Sequence, residues 1–256
     1  MATWEIVAPR RVPIQTRSQR WPGNLGMLVV NTMLLRIVFP GVAVGFALLV
    51  EARGWGLLML SPMPDWLKFV AAMLVLDLVI YLQHVLFHAV PAFWRLHRVH
   101  HTDLDFDVTT GVRFHPAEIL LSMLIKCTAI AAFGPPVAAV LLFEVLLNVT
   151  SMFNHGNVRI PVALDRVLRC LVVTPDMHRV HHSIVRNETN SNYGFNFPWW
   201  DRWFGTYCAQ PAAGHTNMTI GIEQFRQNGD TRLDRLLLQP LRGSSSVYPI
   251  NRNPER

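Results

Sequence analysis

The sequence predicts an all-α integral membrane protein, with about four transmembrane helices beneath a helical cap, and three observations predict it. Of the 256 residues, 51% are hydrophobic and only 16% charged, with a mean hydropathy of +0.25, whereas charged residues approach a quarter of an average soluble domain. Several apolar runs are long enough to cross a hydrocarbon core of about 30 Å as helices. The chain carries eleven histidines, far more than is usual for its length, and most of them fall in the segments that follow those runs.

Residues 1–26 contain Arg10, Arg11, Arg17 and Arg20 with Pro13 and Pro22 and no apolar core, so they read as a cytosolic N-terminal arm with no signal peptide. The run from Leu25 to Val50, interrupted by Arg36 and Pro40, reads as one span or a kinked one. A second run starts at Trp66 and continues through FVAAMLVLDLVIYLQHVLFH, with Asp77 the one acid before the first histidine. From Glu118 to Phe153 the chain is apolar around Gly134, Pro135 and Pro136, a helix-stopping triplet that predicts a helical hairpin. Four spans are preferred, and two spans plus a re-entrant hairpin are the alternative. Residues 27–208 thus form the membrane domain, and 209–256 a polar tail with one helix-like patch from Leu233 to Leu241.

The formal charge of +6 comes from arginines dispersed beside apolar runs, a pattern suited to anionic headgroups rather than to nucleic acid. Cys127, Cys170 and Cys208 form no short-spaced pair, which excludes a zinc clamp or a disulfide framework and fits a reducing compartment. The arm, the segment around Arg95, Arg98 and Arg113, and the C-terminal third are basic, while the Gly-Pro-Pro turn has no basic residue. By the positive-inside rule both termini and the histidine clusters face the cytoplasm. Nothing in the sequence sets an oligomeric state.

His84 and His88 are four apart, about 40° from one another around a helix, so both can face one metal. By itself such a pair equally suits a helix end at the membrane interface. His97, His100 and His101 follow in HRVHH, and His178, His181 and His182 repeat the same five residues. Within each repeat the adjacent histidines diverge, which serves two metals held by one helical turn. His155, alone in FNHGN, is returned to the same side by the hairpin and is a further ligand candidate. His115, in RFHPAE, is a ligand, a donor behind the ligands or a substrate contact, and His215 in the tail is read as solvated. Carboxylates able to accept the second ring N–H of a ligand are Asp77, Asp103, Asp105, Asp107, Glu118, Asp176 and Asp201. Asp77 and Glu144 sit inside apolar runs and are expected to face the bundle interior, behind the ligands or as structural acids.

So many imidazoles imply two metals. Spare coordination positions on paired redox metals suit O₂ activation, which favours iron, with zinc as the alternative. Two rival readings stand beside an oxygenase: a non-redox dizinc membrane enzyme, and a membrane metal-binding or transport protein, which should place its ligands at mid-membrane depth.

The blocks DLVIYLQHVLFHAVPAFWRLHRVHHTDLDF with TGVRFHPAE, and TPDMHRVHHSIVRNETNSNYGFNFPWWDRWFGTY, resemble the fatty acid hydroxylase superfamily, which includes the sterol desaturases, over roughly residues 70–208. The resemblance implies ligation by His84, His88, His97, His100, His101, His178, His181 and His182, with His155 the candidate between the blocks. It further implies an O₂-dependent diiron hydroxylase or desaturase acting on an unactivated C–H bond of a membrane-dissolved sterol, fatty acyl or similar lipid. Electrons would come from a ferredoxin- or cytochrome-type donor. The sequence departs from the family where arginine often follows the first histidine and Val85 and Leu86 stand here, which puts a local salt bridge in doubt.

Overall fold

The computed structural model describes residues 1–243 and 248–250 of the chain; the rest of the expected C-terminal tail lies outside the described residues. The regular elements among those described residues are all helices, and the β pairing there is limited to two isolated bridges, Pro9 with Val158 and Ser183 with Ile220.

Helix α1 covers Ala2–Val7, and α2 covers Arg17–Val38. Thr16 and Gln19 start α2 with a reciprocal capping box. It ends where Pro40 removes an N–H and forces Phe39 out of helical geometry, and the path resumes in α3, Val42–Ala52, and the short α4, Leu57–Leu60. The kinked first span is therefore present as expected. Helix α5, Asp65–Ala89, is about 37 Å long at 1.5 Å per residue, and Pro91 starts α6, Pro91–His101, directly after it. The apolar hairpin is α7, Pro116–Phe133, and α8, Val137–Asn154, separated by Gly134 at φ +58°.

Four segments are long and apolar enough to cross a membrane: Arg17–Leu60, Asp65–Ala89, Pro116–Phe133 and Val137–Asn154. Their relation fixes which end carries the site. A Cβ on Gly56 would lie 2.1 Å from the amide nitrogen of Gly134, so the turn before α5 and the hairpin turn touch backbone to backbone at one end. The histidines close the other end. Ala43, Ala47, Leu76, Ile80, Met123, Ile130, Val140 and Phe143 form the core between α3, α5, α7 and α8. Leu28, Met33, Ile37, Leu124, Leu141, Val145 and Val149 point outward, as apolar side chains do on a lipid-facing surface.

The cap is built from α9 (Val162–Leu168), α10 (Pro175–His181), α11 (Arg186–Thr189), α12 (Trp199–Trp203), α13 (Gly214–Asn217) and α14 (Leu233–Leu238) with long connections. The N-terminal residues are packed into it. Glu5 accepts the N–H groups of Val108 and Asn157 at 2.8 and 2.9 Å, and Asp105 accepts those of Ile14 and Gln15 at 2.9 and 2.7 Å. The expected limit of the arm at residue 26 falls inside α2.

Part of the expected polar tail is packed into the cap. The helical patch appears as α14 and a 3₁₀ turn over Gln239–Leu241, yet Met218, Ile220, Ile222 and Leu236 are buried and close the cap over the site. These apolar residues are spaced among polar ones, so their composition resembles that of solvated chain.

Candidate metal centre

Nine buried histidines converge as two groups. His84, His88, His97, His101 and His181 form the first, and His100, His155, His178 and His182 the second; within each group the candidate ligand atoms lie within 4.8 Å of one another. Helical geometry makes the adjacent histidines of each repeat diverge and so allows this division. In HRVHH of α6, His97 and His101 share a face and enter the first group, while His100 turns to the second. In HRVHH of α10 the assignment is exchanged: His178 and His182 enter the second group and His181 the first. His84 and His88 come from the last two turns of α5, and His155 from the residue that ends α8.

The groups behind the rings decide where their lone pairs point. Nδ1 of His84 donates to the Tyr193 carbonyl (2.8 Å), that of His181 to the Ser191 carbonyl (2.7 Å) and that of His155 to the Ser151 carbonyl (2.7 Å). Nδ1 of His97 donates to Oε1 of Glu118 at 2.6 Å, and Nδ1 of His88 to Oδ1 of Asn190 at 3.1 Å, the Asn190 amide being oriented by its own donation to the Tyr248 carbonyl. Each of these five rings is thus set with a bare Nε2 facing inward.

The bare inward nitrogens of His84 and His97 meet without a proton to share. Nε2 of His84 is 3.1 Å from Nε2 of His97, and Nε2 of His155 is 3.1 Å from those of both His100 and His178. Nε2 of His88 and His181, and both ring nitrogens of His101 and His182, are buried without a hydrogen-bond partner. Burial, followed by the neighbouring rings, holds His100, His101, His178, His181 and His182 well below the ordinary histidine range. Burial likewise pushes His155 down to about 4. Neutral rings with opposed lone pairs repel in such a space, and a bound cation converts that repulsion into ligation. The residues present fit two metal ions.

The other sequence candidates lie outside these groups. His115 caps α7 by accepting the N–H of Ala117 at 3.2 Å, and its Nε2 donates to the Leu237 carbonyl at 3.1 Å. Glu144 pairs with Lys126 at 2.6 Å. Asp176 pairs with Arg179 and with Arg10, the latter at 3.1 Å. His215 is buried with Nε2 3.7 Å from Asp176, so the expectation that it is solvated is corrected: the cap folds over it. Asp77 accepts from Asn196 and Trp200, both at 2.8 Å.

Of the carboxylates proposed as partners for ring N–H groups, Glu118 contacts a clustered histidine. Asp201 acts one step further back, accepting the N–H groups of Tyr193 and Gly194 at 2.8 Å each and so setting the loop that presents the Tyr193 carbonyl to His84. Gly194 is required by this approach, because a Cβ there would lie 2.7 Å from Oδ2 of Asp201. Sequence reasoning missed the carbonyls of Ser151, Ser191 and Tyr193, since a backbone acceptor leaves no residue-type signal.

It also missed Arg20. This fully buried side chain bonds both oxygens of Asp103, at 2.7 and 2.8 Å, and Oδ2 of Asp107 at 2.6 Å. Burial pushes the Asp103 carboxyl up, but Arg20 and Arg113 hold it below the ordinary carboxylate range. The pair pins the connection that follows α6 and thereby the orientation of His100 and His101.

A model of the fatty acid hydroxylase family matches residues 69–206, more than half of the chain. The chain belongs to the fatty acid hydroxylase family. The matched stretch holds all nine histidines of this fatty acid hydroxylase family member. Relatives include the ornithine lipid hydroxylase of Rhizobium tropici, 28% identical over 158 residues, which are 61% of this chain and 46% of that protein. The alkylglycerol monooxygenase of Xenopus tropicalis is 29% identical over 170 residues, covering 64% of this chain and 35% of the relative. That of Homo sapiens is 30% identical over 161 residues, covering 60% and 34%. The chain spans less than half the length of these curated relatives. No solved structure matches the chain significantly. The relatives are named as a lipid hydroxylase and as monooxygenases; this chain carries a buried cluster of nine histidines fit to hold metal ions and four helical segments long and apolar enough to cross a membrane.

Proposed function

We propose that the protein is an O₂-dependent dimetal hydroxylase or desaturase of a membrane-dissolved lipid, with His84, His88, His97, His101 and His181 holding one metal and His100, His155, His178 and His182 the other. The observation that carries this reading is the set of inward, proton-free nitrogens, above all the 3.1 Å approach of His84 Nε2 to His97 Nε2. The pinned Nδ1–H groups of five rings fix the ligand tautomers in advance, so little reorganisation accompanies metal uptake.

Iron is the proposed metal. When bound, a pair of reduced irons supplies the binding and reduction of O₂. For hydroxylation, a C–H bond breaks and a C–O bond forms; one oxygen atom enters the lipid and the other leaves as water. O₂ takes four electrons, two from the C–H bond and two from an external donor, with two protons from solvent. A ferredoxin- or cytochrome-type protein at the basic cap fits as that donor. The chain's own residues orient the rings, exclude bulk water from a fully buried cluster and position the substrate. The arginine asymmetry supports a cytoplasmic cap with both termini on that side. Val162, Leu164 and Val167 on α9, with Trp203 at the end of α12 and Phe204 just after it, are exposed apolar side chains suited to seating the cap on the headgroup region.

A second reading, a dizinc enzyme of non-redox chemistry, is favoured by one feature: both groups consist of imidazole alone, a donor set zinc also accepts. The two are separated by metal analysis of protein from an iron-replete host, combined with ¹⁸O₂ labelling of extracted lipid. Two irons per chain and label in a hydroxylated lipid are expected. Two zincs and no O₂-dependent product would replace the oxygenase with the non-redox enzyme.

A further inference from the structure

His88 is the penultimate residue of α5, and what holds it in the first histidine group comes from the far end of the chain. Its carbonyl, one of the last four of the helix and so without an intrahelical partner, accepts the N–H of Ile250 at 3.1 Å. Its Nδ1 donates to Oδ1 of Asn190, and Nδ2 of Asn190 donates to the Tyr248 carbonyl at 2.8 Å. Its ring centroid lies 4.8 Å from that of Trp94, on which Tyr248 in turn stacks at 5.7 Å with 21° between the planes. Three routes thus run from Tyr248 and Ile250 to one ligand.

These two residues are firmly seated. Tyr248 is buried in a small core with Trp94 and Ile222, and its hydroxyl donates to the Ile184 carbonyl at 2.8 Å. Arg186 donates to the carbonyl of Pro249 between them at 3.0 Å. All three residues of this segment lie beyond residues 69–206, which match the family, so the arrangement belongs to the part of this chain that the family does not define.

The Tyr248 carbonyl also settles which nitrogen of His88 is bare. A carbonyl only accepts, so it draws the amide nitrogen of Asn190 to itself and turns the amide oxygen toward His88. An oxygen there requires the proton on Nδ1 and leaves Nε2, which is buried without a hydrogen-bond partner, ready to ligate. The Tyr193 hydroxyl, 3.4 Å from the same oxygen, is the weaker guide, since a hydroxyl accepts as well as donates. With the Tyr248 carbonyl withdrawn, the amide is free to turn over and present its nitrogen, and the ring then carries its proton on Nε2, where it blocks ligation.

We propose that Tyr248, together with Ile250, is a positioning residue for the first metal: the segment fixes the placement and the tautomer of His88 and thereby governs retention of that metal and not of the second. The inference rests on the dimetal reading, though not on its oxygen chemistry.

Full-length protein in detergent, reconstituted with Co²⁺ under anaerobic conditions, is challenged with excess EDTA while cobalt content and ligand-field absorption are followed. His181→Ala, which lacks a ligand of the first group, identifies the phase belonging to that group. Tyr248→Leu, which keeps the buried space largely filled, is expected to release the first cobalt about 10- to 100-fold faster, the range for partners behind a ligand, and the second at the wild-type rate. Ile250→Pro, at an exposed side chain, removes the N–H given to His88 and is expected to show the same selectivity even if Tyr248→Leu does not fold. Asn190→Asp placed in the Tyr248→Leu protein is expected to restore much of the retention, because a carboxylate accepts from Nδ1 whichever way it turns, a rescue that a generally loosened cap would not give. Faster release of both metals together, wild-type rates in both variants, or failure of Asn190→Asp to rescue overturns the proposal. A wild-type protein that takes up no cobalt would instead remove the dimetal reading itself.

Discussion

Nδ1 of His97 donates to Oε1 of Glu118 across 2.6 Å, joining the cap helix α6 to the first turn of the membrane helix α7. The contact orients a ring of the first histidine group and raises its basicity as a ligand. Glu118→Gln keeps the size and removes the charge. We expect about 10- to 100-fold weaker metal retention or activity, measured as metal content after graded chelation and as turnover. Unchanged retention would remove Glu118 from the site.

The exchanged assignment of the two HRVHH repeats makes neighbouring residues unequal. His181→Ala should deplete the first metal and His182→Ala the second, each leaving the other group intact. His88→Ala/His181→Ala, both in one group, should then retain about one metal per chain, whereas His181→Ala/His182→Ala should retain almost none. Elemental analysis of folded protein decides this, and equal loss in the two double variants would contradict the division.

Arg20 and Asp103 form a fully buried, two-pronged ion pair. Removing one partner strands the other, so Arg20→Met should cost about 3–5 kcal/mol. Arg20→Met/Asp103→Leu should cost less than the two single variants summed, because the shared pair is lost once, although Asp107 then lacks its arginine contact and Arg113 its nearby carboxylate. Melting temperatures in detergent check the order, and a double variant as unstable as the two singles added together would show that the pair is not the source.

Burial pushes His215 down to about 4 despite the attraction of nearby Asp176. The folded protein then takes up this proton less readily than the unfolded chain, so the unfolded state binds more protons between its ordinary value of 6.5 and about 4. This contribution to stability is fully present above that window and is lost as pH falls through it. His215→Gln should make the melting temperature less sensitive to acid across the window than wild type. Parallel pH curves for the two proteins would show that His215 does not contribute.

Much of the architecture follows from chain-local physics. Apolar runs must satisfy their backbone internally and become helices; Pro40 and Gly134-Pro135-Pro136 stop them; and within each HRVHH the adjacent histidines must diverge. The sequence by itself therefore determined the helical membrane fold, the kink, the hairpin and the clustered histidines. Only the tertiary structure decided which histidine joins which group, that Glu118 is the suggested carboxylate that backs a clustered ring, and that Arg20 and His215 are interior. These depend on contacts between segments far apart in the chain, such as Arg20 with Asp103, and on backbone carbonyls such as that of Tyr193. Neither leaves a periodicity or a residue-type signature, because long-range packing sets the direction of a side chain whose identity alone the sequence fixes.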